Sequence, residues 1–285
     1  MPFAEARMPL PEPVRDFCYA VAELSPQARR TEWGVVTVDP RFPLIWDANN
    51  AAVLEPAPGL DVAAIEEVLA LDLRAAGAPL EHVEVWETSV ESRALREMRK
   101  WGARTRPDVV MVREPDALVP EPGGVEVQEL IEPDVEFWPW FRQSLLEFEE
   151  PRSDEVLDQI VERARTVFVP AGLRWFVAFV DGQMAGYTSL ISVDGVGYVD
   201  GVVTMPKFRG QGVGTATVGR AIEASRTGGD RSLFLLTEQE NPARGLYERL
   251  GFRVEANVES FTRLLPGGAP VPGLDPRFGD EALQD

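Results

Sequence analysis

Apolar positions along this chain follow two periods in turn. Val14, Phe17, Cys18, Val21 and Leu24 recur at three- and four-residue steps, the stripe of a helix with one buried face. Residues 134–149 and 153–166 also read as helices, and 125–131 as a strand. Strand-like runs at 175–180 and 184–192 meet across Asp181-Gly182, a dipeptide suited to tight hairpins because both residues accept positive φ. A second Asp-Gly at 194–195 leads into "VGYVDGVVTMP", which predicts a three-stranded antiparallel meander. The continuous apolar run 233–236 suits a strand buried on both faces. Asn241-Pro242 then predicts a helix, with Asn as N-cap and Pro at the first helical position. Gly251 closes it and a further strand starts at Phe252. The tail 266–285, "PGGAPVPGLDPRFGDEALQD", reads as loosely ordered or packed as an irregular strap.

One stretch breaks these patterns. "PKFRGQGVGTATVGRAI", residues 206–222, sets Gly210, Gly212 and Gly214 at alternate positions where a helix is about to start. Such glycines cost conformational entropy, so a backbone demand is expected. A helix start offers unpaired N–H groups and the positive end of the macrodipole, and small residues let an anion approach them. Charge supports this: from Val202 to Gly229 the basic residues are Lys207, Arg209, Arg220 and Arg226, against Glu223 alone, in a chain of net charge −19. The dinucleotide fingerprint G-x-G-x-x-G fails at Thr215 and Thr217. "GTATVGRA" (214–221) lacks the lysine and hydroxyl of a Walker loop.

What remains, R-x-x-G-x-G at Arg209, Gly212 and Gly214, resembles the pyrophosphate loop of the GNAT superfamily, the Gcn5-related N-acetyltransferases, which binds acetyl-CoA. "NPARGLYERLGF" (241–252) is similar to the second half of that family's cofactor site. The resemblance implies a GNAT acyl-CoA N-acyltransferase fold, an α/β arrangement on a mixed sheet, over about residues 125–265. It implies acetyl-CoA as co-substrate and no metal. Backbone N–H groups of Gly210, Gln211, Gly212, Val213, Gly214 and Thr215 would wrap the pyrophosphate. Val202, Val203 and Thr204, on the strand before the loop, would serve the pantetheine arm and the acyl carbonyl. A fixed donor of that kind supplies roughly 2.7–4 kcal/mol of transition-state stabilisation. The two valines suit a core strand equally well.

Tyr247 matches the tyrosine that in this family commonly protonates the departing CoA sulfur; the alternative is an aromatic packed on the sheet. Asn241 matches the asparagine that contacts the cofactor arm, besides its capping job. Arg244, one turn back from Tyr247, would meet a phosphate or solvent. The general base that must take the ammonium proton is Asp200 or Glu238. The aromatics Phe137, Trp138, Trp140 and Phe141 border the acceptor groove in such folds, with core packing as their first role. His82, the only histidine, is expected at a strand edge in the first half of the chain.

Residues 1–120 repeat the pattern of the second half. A shift of 149 positions lays 82–112 on 231–261, with Gly102 under Gly251 and Thr88 under Thr237. Leu60, Ala63 and Ile65 then stand for Arg209, Gly212 and Gly214, and Met98 for Tyr247. The first 120 residues are read as a degenerate, shortened acetyltransferase-like half; tandem GNAT proteins with one inactive half supply the analogy.

Two functions follow. One is an N-acetyltransferase that passes an acetyl group from acetyl-CoA to a primary amine of a small molecule or peptide by direct attack. The other is a catalytically silent acyl-CoA-binding sensor. The strong acidity argues against nucleic acid and anionic membrane surfaces as partners; a homodimer is kept as a candidate assembly. One cysteine, no apolar run long enough to cross a bilayer and no leader pattern point to a reducing, cytoplasmic setting.

Overall fold

The computed structural model describes residues 9–264 except 57–58, 89–92, 102, 105–106, 114–116, 118–123 and 149–152. Gly102 and the tail 266–285 therefore lie outside the described residues. The chain divides into two compact units, one over residues 1–110, 150–159 and 255–285, the other over 111–149 and 160–254.

The first unit opens with α1 (Glu12–Ala22), β1 (Gln27–Arg30), β2 (Gly34–Val38) and β3 (Asn49–Val53). It continues through α2 (Val62–Ala76), β4 (Leu80–Val85), α3 (Arg93–Trp101) and β5 (Ala103–Arg104). β1, β2 and β3 pair antiparallel, and β3 pairs parallel with β4 across α2. Val36, Val38, Ala51, Val53, Val83 and Val85 share one buried face with Ile65, Leu69 and Leu73 of α2 and Leu95 and Met98 of α3. Period-2 strands and a 3.6-period helix thus meet in one core.

The chain leaves through β6 (Asp108–Arg113) and returns at the end of β12 (Phe252–Leu264), whose residues 259–264 pair antiparallel with β4. The sequence reading gives all of 252–265 to the second half; ten described residues of it, 255–264, instead group with the first unit. The same pairing moves His82 off the expected edge. β4 lies between β3 and β12, and His82 is buried, its Nδ1 2.8 Å from the Thr262 hydroxyl. Beside it Glu84 accepts from Trp86 Nε1 (2.9 Å) and Asn50 Nδ2 (3.3 Å). Burial opposes its charge, but the His82 contact and the Trp86 N–H hold its carboxyl below the usual range.

The second unit contains β7 (Glu126–Leu130), α4 (Phe137–Ser144) and β8 (Arg174–Val180), with α5 (Asp154–Arg163) ending inside it and running on as a π-helical turn to Phe168. β9 (Gln183–Val193) and β10 (Val196–Thr204) follow, then α6 (Val213–Gly228), β11 (Ser232–Glu238) and α7 (Arg244–Arg249). β7 to β10 form an antiparallel meander, and β11 pairs parallel with β10. Both Asp-Gly turns take the expected positive φ, 49° and 72° at 181–182 and 51° and 74° at 194–195.

Alternate residues of β9 sort the helices onto opposite faces. Tyr187 meets Trp140 and Phe141 of α4, whereas Gly186 and Thr188 meet Val213 and Thr217 of α6. Phe137, Trp138 and Phe141 stack edgewise around Trp175. Core packing is therefore the role the structure gives this cluster.

Candidate functional site

The site begins where β10 leaves its partners. Asp200 still pairs with Ser189, but the register slips before Val203, and Gly201 between them has φ 58°. This bulge bends the strand. On the other side β10 pairs with β11 only through 196–199 and 232–235, although the two strands run on to Thr204 and Glu238. The ends of two parallel strands thus separate, leaving the backbone of Val202, Val203 and Thr204 without a ladder partner on the β11 side. Strand separation at carboxyl ends is where open α/β sheets take ligands. The sequence leaves Val202 and Val203 suited both to the cofactor arm and to a core strand; the isolated Gly201 was the available signal for the bulge.

The glycine turn follows at once. Gly210 and Gly212 have φ 77° and 82°, and an added Cβ at either would meet nothing within 4 Å. Gly214 has no such φ; its Cβ would come 3.2 Å from Leu246 of α7 and 3.7 Å from Thr204. The three glycines therefore serve two needs. Two permit the left-handed turn that precedes α6, and one lets α6 sit close against α7 and β10. Gly212 is the N-cap of α6, and no side chain caps that end. The N–H groups there stay available to an anion, and a pyrophosphate fits the donors present.

Gly186 is a part of this site that the sequence reading missed. A Cβ there would lie 2.3 Å from the Val203 carbonyl oxygen and 2.7 Å from Val213 Cγ1. Its bare backbone lets the first turn of α6 press onto the β9–β10 pair. A lone glycine inside a strand pattern was the signal.

Charged side chains expected at phosphates are engaged locally. Arg209 donates to Glu147 (3.2 Å) and to the Thr204 carbonyl (3.4 Å), and Gln211 to the Lys207 carbonyl (3.1 Å). Arg244 donates to the Gln239 carbonyl (2.6 Å) and lies 3.8 Å from Glu248. Asn241 closes a turn with its side chain, Oδ1 accepting from the Ala243 N–H at 2.8 Å, while its carbonyl accepts from the Arg244 N–H at 3.0 Å. The helix consequently starts at Arg244 and not at Pro242, because residues 241–244 are spent on that turn.

Tyr247 is buried, with its ring edge-on to Phe252. Burial, and after it the charge of Asp200, push its phenol up to about 12. Asp200 is exposed, 3.5 Å from the Tyr198 hydroxyl. The structure thus brings Asp200 into electrostatic reach of Tyr247. Glu238 ends β11, and its carbonyl accepts from the Asn241 N–H at 3.0 Å. Among the described residues no helix is long and apolar enough to cross a membrane, and no group of three or more His, Cys, Asp or Glu side chains is placed to hold a metal ion.

Residues 135–252 match the acetyltransferase (GNAT) family. An uncharacterized N-acetyltransferase of Methanocaldococcus jannaschii is 32% identical over 99 residues, which cover 32% of this chain and 44% of that protein. A GCN5-related N-acetyltransferase from Kribbella flavida has a similar fold, with TM-score 0.65 and 21% identity over 87% of this chain and 94% of the other. A tandem GNAT protein from the clavulanic acid biosynthesis pathway aligns with TM-score 0.53 and 17% identity over 91% and 95% of the two chains.

Proposed function

Residues 135–252 being a GNAT-family acetyltransferase domain, we propose that the protein is an acetyl-CoA-dependent N-acetyltransferase acting on a primary amine of a small molecule or peptide. One observation supports this above the others: the separated ends of β10 and β11 open beside an uncapped, glycine-turned helix start. A ligand with an amide-bearing arm and a pyrophosphate has its two chemistries met by neighbouring backbone, the arm by Val202, Val203 and Thr204, the phosphates by Gly210, Gln211, Gly212, Val213, Gly214 and Thr215.

Acetyl-CoA supplies an acyl carbon already activated as a thioester. The chain must then move two protons. The acceptor arrives as an ammonium, and Asp200 or Glu238 takes its proton so that the nitrogen lone pair can attack. As the C–N bond forms and the C–S bond breaks, the Tyr247 phenol gives its proton to the sulfur, and the second proton that the nitrogen sheds restores the phenol. A phenol raised to about 12 still holds its proton at the pH where an ordinary alkylammonium, of pKa about 10.4, begins to lose its own. Asp200 offers a coupling between the two events. Once its carboxylate has taken a proton, the charge that raises Tyr247 is gone and the phenol becomes a better acid.

The first unit is proposed as a degenerate acetyltransferase-like half that binds no cofactor. There β3 and β4 stay paired to their ends through Val53 and Val85, and the Trp86 N–H bonds the Val53 carbonyl at 3.0 Å. The start of α2 is capped by Asp61, which accepts from the Ala64 N–H at 3.0 Å. No gap opens between those strands, and a carboxylate holds the place a phosphate would need.

Calorimetric titration with acetyl-CoA, followed by thiol release with a panel of amines, tests the proposal. Binding together with amine-dependent release of CoA is expected. Binding with no release for any amine would favour the silent sensor, and no binding would overturn both.

A further inference from the structure

A buried pair of hydroxyls lies under the helix start. Thr188 of β9 and Thr217 of α6 are both 0% exposed. The Thr188 hydroxyl donates to Thr217 Oγ1 at 2.8 Å, and the Thr217 hydroxyl donates to the Gly214 carbonyl at 3.3 Å. Two buried polar groups cost free energy that an apolar pair of the same shape would not, so packing alone does not account for them.

What the relay ends on is informative. The Gly214 carbonyl belongs to the same peptide unit as the Thr215 N–H, which points out of the uncapped first turn. A hydrogen bond accepted at a peptide oxygen polarises that unit and strengthens its N–H as a donor. The relay also fixes the rotation of the first turn against β9, beside the close approach of Val213 to Gly186.

We infer that Thr188 is a positioning residue for the cofactor's pyrophosphate, acting through Thr217 and the Gly214–Thr215 peptide. It rests on the acetyl-CoA reading above. Thr188 touches no ligand itself; it sets how strongly and in which direction the Thr215 N–H is presented.

The test uses Thr188→Val, Thr188→Ser and the double variant Thr188→Val/Thr217→Val in the full chain. The amide proton of Thr215, followed by NMR in the free protein, should move upfield in Thr188→Val and return in Thr188→Ser. CoA should bind Thr188→Val roughly two- to tenfold more weakly, while pantetheine, which lacks the phosphates, binds all variants alike by NMR titration. The double variant leaves no hydroxyl unpaired and should fold as well as the parent, yet keep the weakened CoA binding. Unchanged CoA affinity in Thr188→Val, equal losses for CoA and pantetheine, or full recovery in the double variant would each overturn the inference. A parent protein that binds no CoA would instead remove the reading beneath it, whatever the Thr215 shift does.

Discussion

At the scale of single residues, Tyr247 and Asp200 bear the proposed chemistry together. Tyr247→Phe keeps the ring on Phe252 and removes the proton. A general acid contributes about 10²–10⁴-fold, so kcat should fall by that order with the acetyl-CoA KM little changed, measured with chemistry rate-limiting. An unaltered kcat would leave Tyr247 a packing residue. Asp200→Asn tests the electrostatic link without turnover. With the carboxylate gone, the Tyr247 phenol should titrate below about 12, burial alone still holding it above the ordinary value. A difference ultraviolet titration against Tyr247→Phe reads this, and an unmoved phenol would separate the two groups. The sequence marks Tyr247 as a candidate because a motif carries its position. The carboxylate partner of Arg209 was not legible there. Glu147 stands 62 residues before Arg209, and no local pattern joins them.

Elements explain why the glycine turn was readable and the strand gap was not. A helix start with glycines on alternate positions is local, so its role follows from neighbours in sequence. The separation of β10 from β11 depends on a slip against β9 and on pairing with a strand some thirty residues on. Gly201 signalled a bulge without saying which ladder would end. The structure also sorts the glycines, and this sharpens one test. Gly212→Val meets no steric obstacle, but a β-branched residue strongly resists φ 82°. The turn should rearrange and withdraw its N–H groups, abolishing acetyl-CoA binding by calorimetry. The far-ultraviolet circular dichroism should stay that of the parent, since the turn is exposed and α6 is held by Ala216, Val218, Ala221 and Ile222 in the core. Normal acetyl-CoA affinity in the folded variant would sink the assignment of this loop.

For the whole molecule the question is how many cofactors one chain takes. The 149-residue offset suggests two halves of one plan, and the first unit does repeat strand, helix, strand from β3 through α2 to β4. Its limits were not legible, because pairing of 259–264 with β4 joins residues about 180 apart. Periodicity predicts a strand at Phe252 but names no partner for it. Similarity of plan does not bring a second site. Met98, standing for Tyr247, is buried with Leu95 and Ile65 in the core and has no proton to give. Asp61 occupies the N–H end of α2, an interaction of about 1 kcal/mol that a phosphate would have to displace while facing its charge. Trp86 closes the line along which β3 and β4 would have to part. One acetyl-CoA per chain is therefore expected, bound between residues 200 and 247. Asp61→Ala should leave the stoichiometry at one, because uncapping α2 does not open the strands. Calorimetry giving two equivalent sites per chain, or a ligand-bound structure with CoA against residues 59–70, would overturn the assignment of the first unit as cofactor-free.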